Sequence, residues 1–219
     1  MIKSFVITML NNNDSVAATE KCIASGKKFG YDNIEIFKAT TPEDNLKYEF
    51  EKDGLSIDDF KVDTKYSNLE PAMCCYLSHK ELWKKCKELN ETILVLEHDA
   101  IFIDKIPNNI YFYGLINLGK PSYGKYMEPT LQSGVFKLFS KPHGGLPGTH
   151  AYMINPTGAR LLLKKLKTTT PDLFLNKIDF PWIQEYYPWP IKADDNFTTI
   201  QKVEGSVAKH NYNKDFKIL

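Results

Sequence analysis

The amino-acid sequence predicts an α/β protein with a central mixed, mostly parallel sheet flanked by helices. The first observation is a β-rich opening segment, residues 2–10, which a polar turn and a helix connect to a second β-rich segment at residues 34–39. The second is an apolar run at residues 92–96, and the third is a strand-like segment at residues 150–154 that leads into a helix. Strands that alternate with helices are typical of α/β folds.

The first half of the chain contains the best-defined helix signals. Asp14 predicts the N-cap of a helix that extends to about residue 29. After a polar, acidic excursion at residues 42–68 with one short helix, Pro71 occupies a favourable first position of a long helix. Residues at helical spacing predict the face of this helix that packs on the core: Cys75, His79, Leu82, Cys86 and Leu89.

The second half of the chain alternates short strands with loops. Residues 92–96 are apolar throughout, which predicts a strand covered on both faces. Residues 109–118 contain a further strand, and a helix begins at Pro156. The remaining segments are expected to be loops or irregular chain: residues 122–135, 142–148 and the aromatic-rich tail at 176–219. We expect all 219 residues to form one domain.

The charge balance limits the partners that the protein binds. The chain has 28 Lys plus Arg and 27 Asp plus Glu, with a net charge of +1, so no nucleic-acid partner is expected. Arg160 is the only arginine, which leaves little capacity for bidentate clamping of phosphate. A bound diphosphate would therefore depend on lysines, backbone N–H groups or a metal ion.

The cysteines and the hydropathy indicate a location. The four cysteines, Cys22, Cys74, Cys75 and Cys86, show no zinc-binding spacing, and scattered thiols of this kind predict a reduced, cytoplasmic protein. No apolar stretch reaches the length of a transmembrane helix. We expect no transmembrane segment, while peripheral membrane contact and the oligomeric state are left open by the sequence.

Two carboxylates close the apolar run, and they are the sharpest chemical signal in the chain. Glu97 and Asp99 follow residues 92–96 and are spaced so that both side chains point the same way if the backbone is extended. Ligands of α/β sheets bind beyond the carboxyl ends of strands, and hard oxygen ligands suit Mg²⁺ or Mn²⁺. The pair therefore predicts a metal site, against the alternative of a solvated strand end.

Three segments resemble glycosyltransferase family 25, the lipopolysaccharide and collagen galactosyltransferase type. Residues 72–83 (AMCCYLSHKELW) are similar to a family helix motif, residues 93–100 (ILVLEHDA) to its strand and acid motif, and residues 148–162 (GTHAYMINPTGARLL) to a strand–helix unit. The resemblance covers most of residues 1–175. One departure is His98, which replaces the middle acid of the family motif.

The resemblance implies a fold and a reaction. It implies a GT-A-like fold and a metal-dependent transfer of a hexose, with inversion, from a UDP-sugar to a hydroxyl of a glycan or other acceptor. UDP-galactose is the first expectation for the donor and UDP-glucose the second. Mn²⁺ or Mg²⁺ would be held by the two outer acids of the motif, Glu97 and Asp99, with His210 as a further candidate ligand.

Several other residues are candidates with a structural alternative. Ser78 and His79 resemble a family signature, and we expect them to support the acid loop, with His79 buried and hydrogen-bonded. His150 is a candidate metal ligand or phosphate contact, and His210 has the alternative of a tail histidine without function. Asp172 resembles a family acid and is our candidate for the base that inversion requires, against a helix-capping role.

Two rival functions use the same residues. A metal-dependent nucleotidyl or phosphoryl transferase would use Glu97 and Asp99 and turn over nucleotides without a sugar acceptor. A non-catalytic nucleotide-sugar-binding protein would bind the donor without turnover, with His98 as the sign of lost activity. The presence of Glu97, Asp99 and Asp172 favours the enzyme.

Overall fold

A computed structural model describes residues 2–122, 132–138, 145–146, 148–194, 196–202 and 217–219. Its strands are β1 (Lys3–Thr8), β2 (Ile34–Lys38), β3 (Ile93–Glu97), β4 (Ala100–Phe102), β5 (Leu115–Asn117), β6 (Gly134–Lys137), β7 (Ala151–Ile154), β8 (Gln184–Tyr187), β9 (Ile191–Ala193), β10 (Phe197–Thr198) and β11 (Lys217–Ile218). Its α-helices are α1 (Asn13–Lys27), α2 (Leu46–Glu51), α3 (Leu69–Leu89), α4 (Pro156–Leu163) and α5 (Pro171–Phe174).

The central sheet contains seven strands in the order β2-β1-β3-β7-β5-β8-β6. β1 pairs in parallel with β2 and β3, and β5 pairs in parallel with β8, whereas β7 and β6 run antiparallel to their neighbours. Five of these seven strands therefore run in one direction, and the predicted mixed, mostly parallel sheet with flanking helices is confirmed. β4 pairs with β9, and β10 with β11, in two small separate sheets.

Strand β3 lies at the centre of two hydrophobic layers. Ile93 and Val95 belong to the core cluster that includes α3 and α4, whereas Leu94 and Leu96 belong to the cluster that includes α1. All four side chains are fully buried. The predicted strand covered on both faces is therefore confirmed, and the position of Glu97 at its end is fixed by packing on both sides of the sheet.

Two helices begin at residues other than those predicted. Asn12, not Asp14, is the N-cap of α1, since its side chain accepts a hydrogen bond from the Ser15 N–H at 2.9 Å. Asp14 lies in the first turn, where a negative charge still favours the helix dipole. α3 begins at Leu69, so Pro71 lies within its first turn and not at its first position.

The excursion at residues 42–68 contains α2 and a short 3₁₀-helix, Ile57–Asp59, in agreement with the prediction of a short helix. The strand predicted within residues 109–118 is only β5, three residues long. Residues 122–135 were predicted to be a loop, but β6 already begins at Gly134.

The tail is the main error of the fold prediction. Residues 176–219 were expected to be irregular, but they contain β8, β9, β10 and β11, and β8 is inserted into the central sheet between β5 and β6. These strands are short and lack a clear alternation of apolar and polar residues, so the tertiary pairing determines them. Within the described ranges, no helix has the length and apolar character needed to cross a bilayer.

Candidate active site

The ends of β1, β2 and β3 open into a cavity of about 430 Å³. Glu97 at the end of β3, together with His98 and Asp99 in the turn that follows, forms one wall. The other walls include Asn12 and Thr40, which follow β1 and β2, and residues of α3 and the tail. Because ligands of α/β sheets bind beyond the carboxyl ends of parallel strands, this cavity is the candidate active site.

The carboxylate of Glu97 is held by two donors through one of its oxygens. Its Oε1 lies 3.0 Å from His79 Nε2 and accepts a hydrogen bond from the Thr149 hydroxyl at 2.6 Å. Its Oε2 makes no hydrogen bond with any residue that the structure describes. One oxygen thus fixes the orientation of the side chain, and the other is available to a ligand in the cavity.

A chain of hydrogen bonds connects Glu97 to the core. The Trp83 indole donates to the Tyr152 hydroxyl at 2.8 Å, and this hydroxyl lies 2.9 Å from His79 Nδ1. Since Tyr152 accepts from Trp83, its own proton points to His79 Nδ1, which leaves the His79 proton on Nε2 to donate to Glu97. Trp83, Tyr152 and His79 are all fully buried, so the direction of the chain is enforced by the cost of an unpaired polar group.

The same contacts determine the charge of Glu97. Burial alone disfavours a charged carboxylate, but the hydrogen bonds from His79 and Thr149 outweigh it and hold the pKa of Glu97 well below its ordinary value. Glu97 is therefore an anion at neutral pH. A carboxylate that hydrogen bonds orient toward a cavity is suited to bind a cation.

The turn after Glu97 corrects one geometric expectation. β3 ends at Glu97 and the chain turns at His98 and Asp99, so the backbone is not extended through Asp99. Both acids nevertheless line the same cavity, and Asp99 Oδ1 is buried there. The Asp99 backbone carbonyl accepts a hydrogen bond from the Asp194 N–H at 2.8 Å, which ties the turn to the tail.

His98, in the same turn, contacts both α1 and β10. Its Nδ1 lies 3.0 Å from the Ser15 hydroxyl of α1, and its ring stacks on Phe197 of β10 with centroids 5.0 Å apart. Burial lowers the pKa of His98, which favours the neutral ring, while Glu97 opposes this shift.

Ser78 connects α3 to the loop after β2. Its hydroxyl donates to the Cys74 carbonyl one turn earlier at 2.8 Å and accepts from the Thr40 N–H at 2.9 Å. The first contact is the helix back-bond that was the structural alternative for this residue. The second fixes a wall of the cavity, so Ser78 shapes the site through the backbone of Thr40.

Cys75 joins His79 and Glu97 in a cluster of potential metal-binding side chains. One ligand atom from each lies within 4.8 Å of the others. A metal bound to His79 Nε2 would require that nitrogen to lose its proton, which would leave the buried Tyr152 hydroxyl without its acceptor. The hydrogen-bond chain therefore favours His79 as the residue that orients Glu97 over His79 as a metal ligand.

His150 lies next to the site but not in the cavity lining formed by the described residues. Its backbone carbonyl accepts from the Glu97 N–H at 2.9 Å, while its ring packs on Gly119, where an added Cβ would lie 2.5 Å from His150 Nε2. Burial lowers the pKa of His150 to about 4, against the attraction of Glu97. Its part in ligand binding stays a prediction.

Asp172 lies in the first turn of α5. Thr170 occupies the N-cap position, and the Asp172 carboxylate accepts from the N–H of its neighbour Leu173 at 3.0 Å, so Asp172 is not the N-cap. Its negative charge, after burial and the charge of Glu97, contributes to raising the pKa of the Cys75 thiol. Asp172 is not among the described residues that line the cavity. His210, the candidate tail ligand, lies outside the described residues.

The structure adds residues that the sequence did not single out as functional. Tyr152 lies on β7 and Thr149 lies two residues before that strand begins, and the register of β7 with β3, Leu96 opposite Ala151, brings both to the site of Glu97. Ser15 and Phe197 meet at His98 from opposite ends of the chain. Thr149 and Tyr152 lie inside the family-like segment 148–162, but nothing in the sequence indicates the Ser15 and Phe197 contacts.

The fold and the cavity define the class of protein, a GT-A-like α/β domain with a ligand site at the carboxyl ends of its parallel strands. The family model described as "Glycosyltransferase family 25 (LPS biosynthesis protein)" matches residues 1–180, and the chain belongs to that family. The earlier resemblance is thereby confirmed. A comparison with curated proteins finds no significant match.

Proposed function

We propose that this glycosyltransferase transfers a hexose, with inversion, from a UDP-sugar to an acceptor hydroxyl with the help of a divalent metal ion. The observation that supports this best is the cavity at the ends of β1, β2 and β3, in which Glu97 and Asp99 share one wall. Family membership favours glycosyl transfer over nucleotidyl or phosphoryl transfer, which would use the same acids.

Glu97 and Asp99 fit a hard divalent cation such as Mn²⁺ or Mg²⁺. Glu97 is ionised, has Oε1 held by two donors and offers Oε2 to the cavity, and Asp99 adds a second carboxylate to the same wall. Carboxylates oriented in this way by outer hydrogen bonds are typical of metal sites. Such an ion supplies positive charge to a departing nucleoside diphosphate.

The chain itself offers little positive charge for this task. Arg160, the single arginine, lies on α4, outside the described lining of the cavity. Anion binding in the cavity would therefore depend on N–H donors and a metal ion, because a diphosphate without either would face two carboxylates.

Asp172 is the proposed base. Inversion in a single displacement needs a group that takes the acceptor proton on the side opposite the leaving diphosphate. Glu97 and Asp99 are assigned to the diphosphate side, whereas Asp172 lies on α5, outside the described lining of the cavity, and its charge acts on the thiol of Cys75, which does line it. UDP-galactose, then UDP-glucose, is the donor we propose, as the sequence resemblance implies.

A thermal-shift screen of nucleotide-sugars, with and without Mn²⁺, tests the proposal. We expect a UDP-hexose to raise the melting temperature only when Mn²⁺ is present, because a ligand that binds the native state stabilises it by mass action. Binding without any release of UDP when acceptors are added would instead favour a non-catalytic sugar-nucleotide-binding protein. Stabilisation by no nucleotide-sugar would contradict the proposed function.

A further inference from the structure

His98, between the two proposed metal-binding acids, has a ring whose position is fixed by neighbours. Ser15 of α1 contacts one edge at Nδ1, and Phe197 of β10 stacks on one face with an interplanar angle of 19°. Ser15 is fully buried, and the His98 ring is half-buried and lines the cavity. Contacts on the edge and the face leave the ring little freedom to turn.

The hydrogen bonds of Ser15 determine which ring nitrogen of His98 carries the proton. The Ser15 hydroxyl accepts a hydrogen bond from the Met9 N–H at 3.0 Å, and His98 Nδ1 lies 3.0 Å away. A buried hydroxyl that did not donate its own proton would pay a desolvation cost, so this proton points to His98 Nδ1. Nδ1 is then the acceptor, and Nε2 of the neutral ring carries the proton.

This assignment leaves an N–H donor on a residue that lines the cavity. His98 Nε2 forms no hydrogen bond with the parts of the chain that the structure describes, and His98 lines the cavity together with Glu97 and Asp99. An N–H donor in such a place pairs with a ligand oxygen. The ligand group nearest to a metal held by Glu97 and Asp99 is the diphosphate of a nucleotide-sugar.

We propose that His98 binds the donor substrate through a hydrogen bond from its Nε2–H to a diphosphate oxygen. This inference rests on the proposed function and adds a residue to its binding site. A neutral donor at this position compensates in part for the lack of an arginine in the described walls of the cavity. The replacement of the family's middle acid by His98 is then a gain of a binding contact and not a sign of lost activity.

Two substitutions of His98 distinguish the effect of its N–H group from the effect of its aromatic ring. His98→Phe keeps an aromatic ring to stack on Phe197 but has no N–H, whereas His98→Gln keeps an N–H at about the position of Nε2. We would titrate wild type and both variants with UDP and with UMP in the presence of Mg²⁺, by calorimetry. His98→Phe is expected to weaken UDP binding by about tenfold and UMP binding by less than about threefold, because a hydrogen bond to a charged acceptor contributes about tenfold or more in affinity. His98→Gln is expected to stay within about threefold of wild type for both ligands.

The outcomes separate this inference from the proposed function. Wild-type affinity of His98→Phe for UDP, or an equal loss for UDP and UMP, would overturn the diphosphate contact while the function stands. A wild-type protein that binds neither UDP nor other nucleoside diphosphates would contradict the function and this contact together. If His98→Phe does not fold, as judged by its melting curve, His98→Leu serves as the variant without a donor, with the same expected losses.

Discussion

His79 Nε2 lies 3.0 Å from Glu97 Oε1, and this contact joins the buried face of α3 to the end of β3. His79 is fully buried, and its other nitrogen is bound to Tyr152, so the imidazole has one orientation available. The carboxylate that the contact orients faces the cavity. The packing of the core therefore determines the geometry of the candidate metal site.

Removal of His79 tests this connection. We expect His79→Ala to lower the free energy of unfolding by about 1–3 kcal/mol, because the Tyr152 hydroxyl loses its acceptor and a small cavity forms. Urea unfolding measures this loss. A variant with unchanged stability and no activity would instead show that His79 takes part directly in the reaction.

A substitution of Thr149 tests whether the orientation of Glu97 matters for metal binding, without removing the ring of His79. Thr149→Val removes the hydroxyl that donates to Glu97 Oε1 at 2.6 Å, and we expect it to weaken Mn²⁺ binding by about 10-fold or more. Thr8→Val is the matched control, since Thr8, at the end of β1, is a buried threonine like Thr149 and bonds to Thr19. The control should lose stability but bind Mn²⁺ normally. Equal Mn²⁺ affinity in both variants, measured by titration, would contradict the role of Thr149.

His150 predicts a pH dependence of stability. Its pKa in the folded protein is about 4, below the value of about 6.5 for an unperturbed histidine. Because the unfolded chain takes up this proton first, stability is lost as the pH falls from about 6.5 to about 4, with a slope of up to about 1.4 kcal/mol per pH unit from this residue.

The comparison of wild type with His150→Gln isolates this contribution. Chemical unfolding at intervals between pH 7 and pH 4 should show a shallower loss of stability in the variant. Parallel pH profiles for the two proteins would mean that His150 is not buried as a neutral ring.

The role of Asp172 as the base is tested by a variant that should still bind the donor but transfer sugar more slowly. Asp172→Asn should bind donor and Mn²⁺ as wild type does and transfer sugar about 10²–10⁴-fold more slowly, as expected for loss of a general base. Asp179→Asn is the control, because Asp179 is a nearby acid that pairs with Lys167. A rate for Asp172→Asn above about a tenth of wild type would exclude Asp172 as the base.

The sequence predicts the parts of this structure in which local pattern and packing agree. Residues 93–96 of β3 are apolar because both faces are covered, and the burial of His79, Leu82 and Cys86 follows the helical spacing predicted for α3. The buried face of α3 is wider than predicted: Tyr76, Leu77 and Trp83 are fully buried, whereas Cys75 and Leu89 are only partly buried. The acids at the end of β3 follow from that strand. This part of the chain contains the candidate metal site.

The remainder depends on contacts between distant segments. β8 enters the central sheet by pairing with β5 and β6, and the sequence of Gln184–Tyr187 has no strand pattern that would indicate this. The contact of Ser15 with His98 spans 83 residues of sequence. Such contacts arise from strand order and register, which single-sequence periodicity does not contain.

Glu97 and Asp99 are proposed to hold a metal ion that sugar transfer requires. The most direct measurement is the release of UDP from the UDP-hexose selected by thermal shift, in wild type, Asp99→Asn and the exposed control Asp104→Asn, each with Mn²⁺ and with EDTA. We expect wild type and Asp104→Asn to release UDP only with Mn²⁺, and Asp99→Asn to stay folded and inactive. Full activity of Asp99→Asn, or wild-type activity that EDTA does not change, would contradict the metal-binding role of these two acids.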